Sequence, residues 1–469
     1  MNDQRLIEIV PSARQLQLQQ METYAFVHFT VNTFTGREWG DGTEDPAVFN
    51  PVRFDADQWV SAICEAGMKG LILTCKHHDG FCLWPSAHTK HSVASSPYKG
   101  GRGDIVREVA DACCRAGIRF GVYLSPWDRN QPLYGSGKAY DDYFIAQLTE
   151  LLTNYGEIFS VWFDGACGEG PNGKKQYYDW NRYYETIRTL QPGACIHVCG
   201  PDIRWCGNEA GDTREAEWSV VPRRTMDTEK VASASQQSDD AEFRQRKISA
   251  RDRDLGSRKA LEGEEQLIWY PAEVNTSIRP GWFWHASEDD KVKPLAKLID
   301  IYEKSVGGNA MFLLNIPPTS EGLFHDNDVA RLKEFGAYLK ECYGENLALD
   351  AVIEASPAAA EHGIECVRTA DDSCYLPERA DGTAEIILRW TEEKHIRRVV
   401  MQEQILMSQR VERYAIDAWQ DGAWQEIHSG SVIGYKRIAV LGGVRTNALR
   451  IRITDARVAP TVKFIGVYA

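Results

Sequence analysis

The sequence predicts an α/β protein with a (β/α)8-like barrel of the TIM type, followed by a C-terminal antiparallel β-sandwich. Two observations predict the barrel over residues 1–344. Strand-like runs there are almost continuously apolar, as in strands buried on both faces, and amphipathic helical stretches separate many of them. A third observation predicts the sandwich over residues 345–469, because the pattern changes there to short alternating strands joined by turns.

Eight runs have the composition of barrel strands. They are YAFVHF (24–29), KGLILTC (69–75), RFGVYLS (119–125), IFSVWFD (158–164), CIHVCG (195–200), EWSVV (217–221), LIWYPAE (267–273) and AMFLLNI (310–316). The helical stretches between them are ADQWVSAICEAG, GDIVREVADACCRAG, YFIAQLTELLTNYG, YYDWNRYYETIRTL and PLAKLIDIYEKSVGG. Several of these stretches end at glycine, the usual C-terminal cap of a helix.

Residues 223–265 interrupt this alternation, since they are polar and rich in charge. We expect a solvated insertion there, in the form of a long loop or a helical excursion. Loops at the mouth of a barrel often shape the access of substrate.

The C-terminal segment follows a last helical stretch, VARLKEFGAYLKECYG (329–344). Its strand candidates include AEIILRW, RRVVMQEQ, RIAVLGG, ALRIRITD and VKFIGVYA, with turns such as Gln420-Asp421-Gly422. We expect this domain to support the barrel structurally.

The composition excludes several classes of partner. The chain of 469 residues carries a formal net charge of -14, which argues against nucleic acid or an anionic membrane, because both favour a basic surface. No stretch is long and apolar enough for membrane insertion. The first residues lack the pattern of a signal peptide, so we expect a soluble protein that is cytoplasmic unless a removed leader directs it to the periplasm or out of the cell. The 12 cysteines form no CxxC pair, which favours buried free thiols over a zinc site.

Polar and aromatic residues follow most of the predicted strands. The carboxyl ends of barrel strands meet at one mouth, so these side chains are expected to converge. They are His28, Glu38, Trp39, His77, His78, Asp79, Tyr123, Trp127, Asp128, Trp162, Asp164, Asp202, Arg204, Trp205, Glu209, Glu273 and Asn315. Sugar hydroxyls need such donors and acceptors, and tryptophan offers both an apolar face and an N–H. The sequence therefore predicts a carbohydrate site.

Hydrolysis of a glycoside needs two carboxyl groups, a nucleophile or base and a proton donor. Asp164 is the candidate nucleophile, because it ends a buried strand and Gly165 leaves room beside it. The proton donor stays open among Glu209, Glu217 and Glu273. Glu209 lies in a glycine-flanked loop, where loss of water could raise its pKa.

The run Lys76-His77-His78-Asp79 superficially resembles a metal-ligand cluster. Adjacent side chains on a strand point to opposite faces, and no His-x-His occurs near a strand end, so a metal-dependent hydrolase is disfavoured. For both imidazoles to face one sugar, His78 must lie beyond the regular strand, in the turn that Asp79-Gly80 begins.

Six segments are similar to a known family: HFTVNTF, REWGDGTEDP, KHHDGF, GVYLSPWDRN, VWFDGA and GPDIRWCGNEAG. Together they resemble a glycoside hydrolase family 29 α-L-fucosidase, and more narrowly the branch that prefers α-1,3/1,4-linked fucose on Lewis-type glycans. The resemblance implies a retaining double displacement with Asp164 as nucleophile and Glu209 as acid/base, and Glu273 is the main rival to Glu209. It implies no metal and no organic cofactor, and a fucosylated oligosaccharide or glycoconjugate as substrate.

The resemblance also implies a set of fucose contacts. By motif they are His28, Glu38, Trp39, His77, His78, Tyr123 and Trp162, with Arg204 and Trp282 from less similar segments. Two alternatives to this function are a barrel glycosidase for another sugar and a catalytically silent fucose-binding protein. The oligomeric state is not predicted.

Overall fold

The computed structural model describes residues 3–235, 253–369 and 371–469. The strands of the N-terminal domain are β1 (Thr23–Val27), β2 (Gly70–Lys76), β3 (Arg119–Leu124), β4 (Ile158–Phe163), β5 (Cys195–Val198), β6 (Arg204–Trp205), β7 (Val220–Pro222), β8 (Leu267–Trp269), β9 (Ala272–Ser277) and β10 (Met311–Asn315). β7 and β8 form a separate antiparallel pair, and the other eight strands form one sheet.

That sheet is a nearly closed parallel barrel. Its strand order is β5-β4-β3-β2-β1-β10-β9-β6, and every pairing within it is parallel. A single parallel bridge between His197 and Ile203 links β5 to the residue before β6. Strands β1, β2, β4, β5 and β10 are buried along their whole length, which explains their continuous apolar runs. The predicted fold class is confirmed.

Helices pack around the barrel. They are α1 (Ala13–Gln19), α2 (Val31–Thr35), α3 (Ala56–Glu65), α4 (Ile105–Ala116), α5 (Lys138–Asn154), α6 (Trp180–Leu190), α7 (Thr228–Ser235), α8 (Leu295–Ser305) and α9 (Asp326–Cys342), and one of them, α7, lies at the mouth of the barrel. Local signals set their ends. The Asp55 carboxylate caps the first turn of α3, and α4 ends at Gly117 with φ of 71°. No described helix combines the length and the apolarity that a bilayer crossing requires.

The predicted sixth and seventh strands differ from the structure. EWSVV (217–221) was expected in the barrel, but its apolar end enters β7, and the two residues of β6 fill the barrel position instead. The buried Glu217 is bound there by Arg204 and Arg214, at 2.6 and 3.1 Å. LIWYPAE is divided between β8 and β9 on either side of Pro271, which has no N–H for a ladder.

The predicted insertion at residues 223–265 is helical in its first part, residues 223–235, and forms bends and turns over residues 253–265. α7 lies in it, and Val231 packs against the core of the barrel, so this part is not merely a solvated loop. Residues 236–252 of that prediction lie outside the described residues.

The C-terminal strands are β11 (Val352–Ala355), β12 (Ala384–Glu403), β13 (Val411–Gln420), β14 (Ala423–Gly430), β15 (Arg437–Ala456) and β16 (Val462–Tyr468). Hydrogen bonds join them into one antiparallel sheet with the order β11-β12-β15-β13-β14, and β16 pairs with β12. β12 and β15 span 20 residues each, and their shared ladder shifts register, so one sheet turns around a common apolar core. The predicted boundary after residue 344 falls between α9 and β11.

Candidate active site

A cavity opens where the carboxyl ends of the barrel strands meet. Nine of the side chains that the sequence places at this mouth line it, together with six other residues. The lining residues are Phe26, His28, Trp39, His77, His78, Trp162, Asp164, Gly165, Ala166, Val198, Trp205, Glu209, Ser235, Asn275 and Trp282. The other implicated residues do not line this cavity: Glu38, Asp79, Tyr123, Trp127, Asp128, Asp202, Arg204, Glu217, Glu273 and Asn315.

Asp164 follows β4 directly, and both of its carboxylate oxygens accept hydrogen bonds. Oδ1 accepts one from the backbone N–H of Ala166 at 2.8 Å, and Oδ2 accepts one from the hydroxyl of Tyr123 at 2.9 Å. The Tyr123 ring in turn stacks on Trp162, with ring centroids 5.3 Å apart. The Asp164 carboxylate is thus held in one orientation while 21% of its side chain stays exposed to the cavity.

Gly165, the next residue, has no space for a side chain. A Cβ there would collide with the Oγ of Ser235 and lie 3.0 Å from its Cβ. The sequence suggested that this glycine leaves room beside the nucleophile, but α7 occupies that room. The insertion that carries α7 therefore forms one wall of the cavity.

Glu209 lies in the loop after β6, on another side of the same cavity. Its Oε2 accepts a hydrogen bond of 2.9 Å from the indole Nε1 of Trp282. The side chain of Asn208 shapes the loop, because its Oδ1 accepts from the backbone N–H groups of Ala210 and Asp212, each at 3.0 Å. Asp164 and Glu209 thus reach one cavity from segments that follow different strands.

Glu273, the rival proton donor, lies below this cavity and is fully buried. It accepts hydrogen bonds from Tyr24, from His197 at 2.8 Å and from Trp162 at 2.8 Å. Burial raises the pKa of Glu273, but His197 and these hydrogen bonds lower it by more, so the pKa is below its ordinary value. This environment favours the carboxylate, whereas a general acid must carry a proton.

Three neutral imidazoles line the cavity beside Asp164. Burial lowers the pKa of His28 and of His78 to about 4, and it lowers the pKa of His77 well below the ordinary range. His28 donates from Nδ1 to Oδ1 of Asn315 at 2.8 Å, because the amide oxygen only accepts. A neutral imidazole offers one donor and one acceptor, which matches a sugar hydroxyl.

The tautomer of His78 follows from its neighbours. The hydroxyl of Ser125 donates to the carbonyl oxygen of Trp127 at 2.7 Å, so it accepts from Nδ1 of His78, also at 2.7 Å. The lone pair on Nε2 of His78 then faces Oδ2 of Asp164, at 3.7 Å.

The backbone explains how two adjacent histidines face one cavity. β2 ends at Lys76, and a turn closed by Gly80, with φ of 78°, follows. His77 and His78 therefore lie beyond the regular strand, as the sequence requires, and their ring centroids are 4.1 Å apart.

Glu38 positions another wall of the cavity without lining it. Its carboxylate accepts from the backbone N–H groups of Trp282 and Phe283, at 2.7 and 3.3 Å, and contacts Nε2 of His285 at 2.7 Å. Trp39, the next residue, does line the cavity and packs edge-to-face on His78. Glu38 thus fixes the backbone of Trp282, and Trp39 packs against His78.

The expectation that Arg204 contacts the sugar disagrees with the structure. Arg204 is buried, and its guanidinium donates to Glu217, Trp218 and Tyr270 at 2.6, 3.0 and 3.0 Å. Glu217 is a buried carboxylate and requires a cation beside it, which Arg204 provides. The guanidinium of Arg204 is therefore bound to Glu217 and does not line the cavity.

Several cavity residues were missed by sequence reasoning. Phe26 on β1 precedes His28, which directly follows the strand, by two positions, so alternation could have placed both on one face. Asn275 accepts a hydrogen bond of 2.9 Å from the indole of Trp205. It was missed because the sequence pattern predicts a strand that ends at residue 273, whereas β9 continues to Ser277. Val198 has φ of 63°, which is strained for a β-branched residue and has no signature in the sequence.

Comparison with known proteins gives one consistent result. The sequence profile of a family described as Alpha-L-fucosidase matches residues 12–345. A putative alpha-L-fucosidase 1 from Oryza sativa subsp. japonica is 40% identical over 466 residues, which are 98% of this chain and 85% of that protein.

Solved structures agree with the sequence comparison. A putative alpha-L-fucosidase from Bacteroides ovatus is 46% identical with a TM-score of 0.85, covering 100% of this chain and 76% of the other. A Ruminococcus gnavus GH29 fucosidase in complex with fucose is 29% identical with a TM-score of 0.83, covering 98% and 95% of the two chains.

Proposed function

Because this chain belongs to the alpha-L-fucosidase family, glycoside hydrolase family 29, we propose that it releases terminal α-L-fucose by a retaining double displacement. The enzyme is an alpha-L-fucosidase that acts on fucosylated substrates. The proposal assigns the nucleophile to Asp164 and the acid/base to Glu209. One observation carries it: the Asp164 carboxylate is held by Tyr123 and Ala166 in the same cavity that Glu209 lines.

In the first step Asp164 attacks the anomeric carbon, and Glu209 donates its proton to the departing glycosidic oxygen. A covalent fucosyl-enzyme results, with the anomeric configuration inverted. In the second step Glu209 takes a proton from water, and the water displaces Asp164 to give fucose with the original α configuration.

The contacts of Asp164 suit both halves of this cycle. Fixed hydrogen bonds hold the attacking oxygen in place before the first step, which lowers the cost of orientation. The Tyr123 hydroxyl and the Ala166 N–H then stabilise the negative charge that returns to Asp164 when the intermediate breaks down.

Recognition of fucose is assigned to two kinds of surface. The neutral imidazoles of His28, His77 and His78 form hydrogen bonds with the hydroxyl groups of the sugar. Phe26, Trp162 and Trp282 form an apolar corner, with the Phe26 ring centroid 5.1 Å from that of Trp162 and 6.3 Å from that of Trp282. We assign this corner to the C5 methyl that distinguishes fucose from galactose.

The favoured substrate is α-1,3/1,4-linked fucose on Lewis-type oligosaccharides, because the motifs HFTVNTF, KHHDGF and GPDIRWCGNEAG resemble that branch of the family.

Two measurements test the proposal. Proton NMR of early hydrolysis should show α-L-fucose forming before mutarotation, and β-L-fucose as first product would overturn retention. Lewis a or Lewis x trisaccharide should be hydrolysed faster than 2'-fucosyllactose, and the reverse order would reject the assigned linkage while leaving the mechanism standing.

A further inference from the structure

His77, His78 and Asp164 bring three metal-binding atoms together at the floor of the cavity. One ligand atom from each lies within 4.8 Å of the other two. His77 and His78 are at least nine-tenths buried, and the Asp164 side chain is 21% exposed. No step of the proposed hydrolysis uses this arrangement as a metal site.

The separation of two of these atoms is close to that of zinc ligands. Two ligands at about 2.1 Å from a tetrahedral zinc ion lie about 3.4 Å apart. Nε2 of His78 lies 3.7 Å from Oδ2 of Asp164, so a shift of a few tenths of an ångström, on the order of thermal motion, would place both in the coordination shell.

The tautomer of His78 leaves its Nε2, the nitrogen near Asp164, free to bind an ion. Ser125 accepts the Nδ1 hydrogen of His78, which leaves Nε2 as an acceptor opposite the carboxylate. Two acceptors that face each other need a hydrogen donor or a cation between them. In known metal sites, the second ring nitrogen of a ligating histidine donates in the same way to an oxygen of the surrounding protein.

The third ligand is His77. Nδ1 of His77 is buried and has no hydrogen-bond partner among the residues that the structure describes. This unpartnered nitrogen is a second, independent indication of a ligand.

We propose that His77, His78 and Asp164 bind a transition-metal ion such as Zn²⁺, and that the ion inhibits the enzyme by occupying the fucose site. Two imidazoles and one carboxylate select zinc, copper or nickel over magnesium or calcium. The cavity supplies water for the fourth position of a tetrahedral ion. The ion is not a cofactor, because it occupies the carboxylate of Asp164, the residue that is assigned to attack the sugar. Only the competition with fucose rests on the proposed function.

Cobalt and zinc titrations of the chelator-treated enzyme test the site without any turnover. We expect one Co²⁺ per chain with the visible absorption of a tetrahedral site, displaced by Zn²⁺ and not by Mg²⁺. Asp164→Asn preserves the shape of the side chain and should weaken the binding of Zn²⁺ at least tenfold. Ser125→Ala should weaken it roughly 10- to 100-fold, the range found for residues that orient a ligating histidine.

Exposed thiols are the main competing zinc ligands, so the control replaces them. Cys64 and Cys114 are exposed, and the double variant Cys64→Ser/Cys114→Ser should keep both the cobalt spectrum and the inhibition. Loss of zinc binding in this variant, or unchanged binding in Asp164→Asn, would overturn the site.

L-Fucose and aryl fucoside then separate this inference from the proposed function. Fucose should displace Co²⁺, and Zn²⁺ should raise KM for the aryl fucoside without lowering kcat. Zinc that binds at these residues but is not displaced by fucose would refute the shared site. An enzyme without fucosidase activity would refute the proposed function, and the cobalt spectrum would still decide the metal site.

Discussion

The hydroxyl of Tyr123 donates a 2.9 Å hydrogen bond to Oδ2 of Asp164, while its ring stacks on Trp162. Tyr123 does not line the cavity itself. It joins β3 to the end of β4 at a carboxylate oxygen of Asp164, the residue that is assigned to attack the sugar. Its hydroxyl therefore matters most in the step in which Asp164 regains its negative charge.

Tyr123→Phe should slow breakdown of the fucosyl-enzyme more than its formation. The ring and its stacking remain, but the leaving carboxylate loses a hydrogen bond worth about 1.5–3 kcal/mol, or roughly 10- to 100-fold in rate. With an activated aryl fucoside we expect kcat and KM to fall together, with a burst of phenolate in rapid mixing. Unchanged kcat would contradict the role given to this hydroxyl.

The two carboxyl groups should give opposite anomers when each is replaced in the presence of azide. In Glu209→Ala the intermediate still forms from an activated fucoside, and azide attacks it to give α-L-fucosyl azide. In Asp164→Gly azide takes the place of the nucleophile, so a single inversion gives β-L-fucosyl azide. NMR of the products measures this directly, and the same anomer from both variants would break the assignment.

Glu273→Gln is the matched test of the rival acid. Glu273 accepts from Tyr24, His197 and Trp162 in a fully buried site, and an amide leaves part of this set without an acceptor. We expect a loss of about 2–4 kcal/mol in the free energy of unfolding, measured with urea, and lower activity because Trp162 is no longer held. Rescue of Glu273→Gly by azide, with no rescue of Glu209→Ala, would reassign the acid.

The sequence predicted the barrel because alternating apolar runs and amphipathic helices depend mainly on local patterns. It brought His28, His77 and Asp164 to one mouth because each follows a long buried strand. The same reasoning failed at β6, because a strand of two residues is too short to show a periodic pattern. The side chain of Arg204, in this strand, was therefore wrongly expected to contact the sugar.

The ambiguity over Glu273 had a related cause. The run LIWYPAE reads as one strand that ends at Glu273, which would put that carboxylate at the mouth. In the structure β9 continues to Ser277, so Glu273 lies near the start of the strand and below the cavity. Its polar residues, Asn275 to Ser277, concealed the continuation. The contact of α7 with Gly165 depends on tertiary packing, for which a single sequence carries no local signal.

Gly165→Ala should disturb the cavity through α7. The added Cβ would meet Ser235, so the helix or the Asp164 backbone must shift. We expect a loss of about 1–3 kcal/mol in stability, typical of overpacking, and a larger loss of kcat/KM than of stability. Because the collision involves Ser235, the double variant Gly165→Ala/Ser235→Gly should recover activity. A fully active single variant would show that α7 does not constrain this site.

Acid should destabilise the fold through Glu217. Burial alone would raise the pKa of Glu217, but the charges of Arg204 and Arg214 outweigh it. The pKa is therefore about 2, below its ordinary value of 4.5. A carboxyl whose folded pKa is depressed binds fewer protons in the folded chain than in the unfolded chain. Its stabilising contribution is therefore complete above pH 4.5 and is lost as the pH falls toward 2. A shift of this size corresponds to about 3 kcal/mol.

Urea unfolding of wild type and Glu217→Gln at several values of pH isolates this contribution. The variant should be less stable at pH 7, because Arg204 and Arg214 lose their buried partner. Its stability should also fall less steeply than that of wild type between about pH 4.5 and 2, and the difference in slope is the diagnostic quantity. Parallel stability curves for wild type and variant would contradict this prediction, because they would mean that the pKa of Glu217 is the same in the folded and unfolded chains.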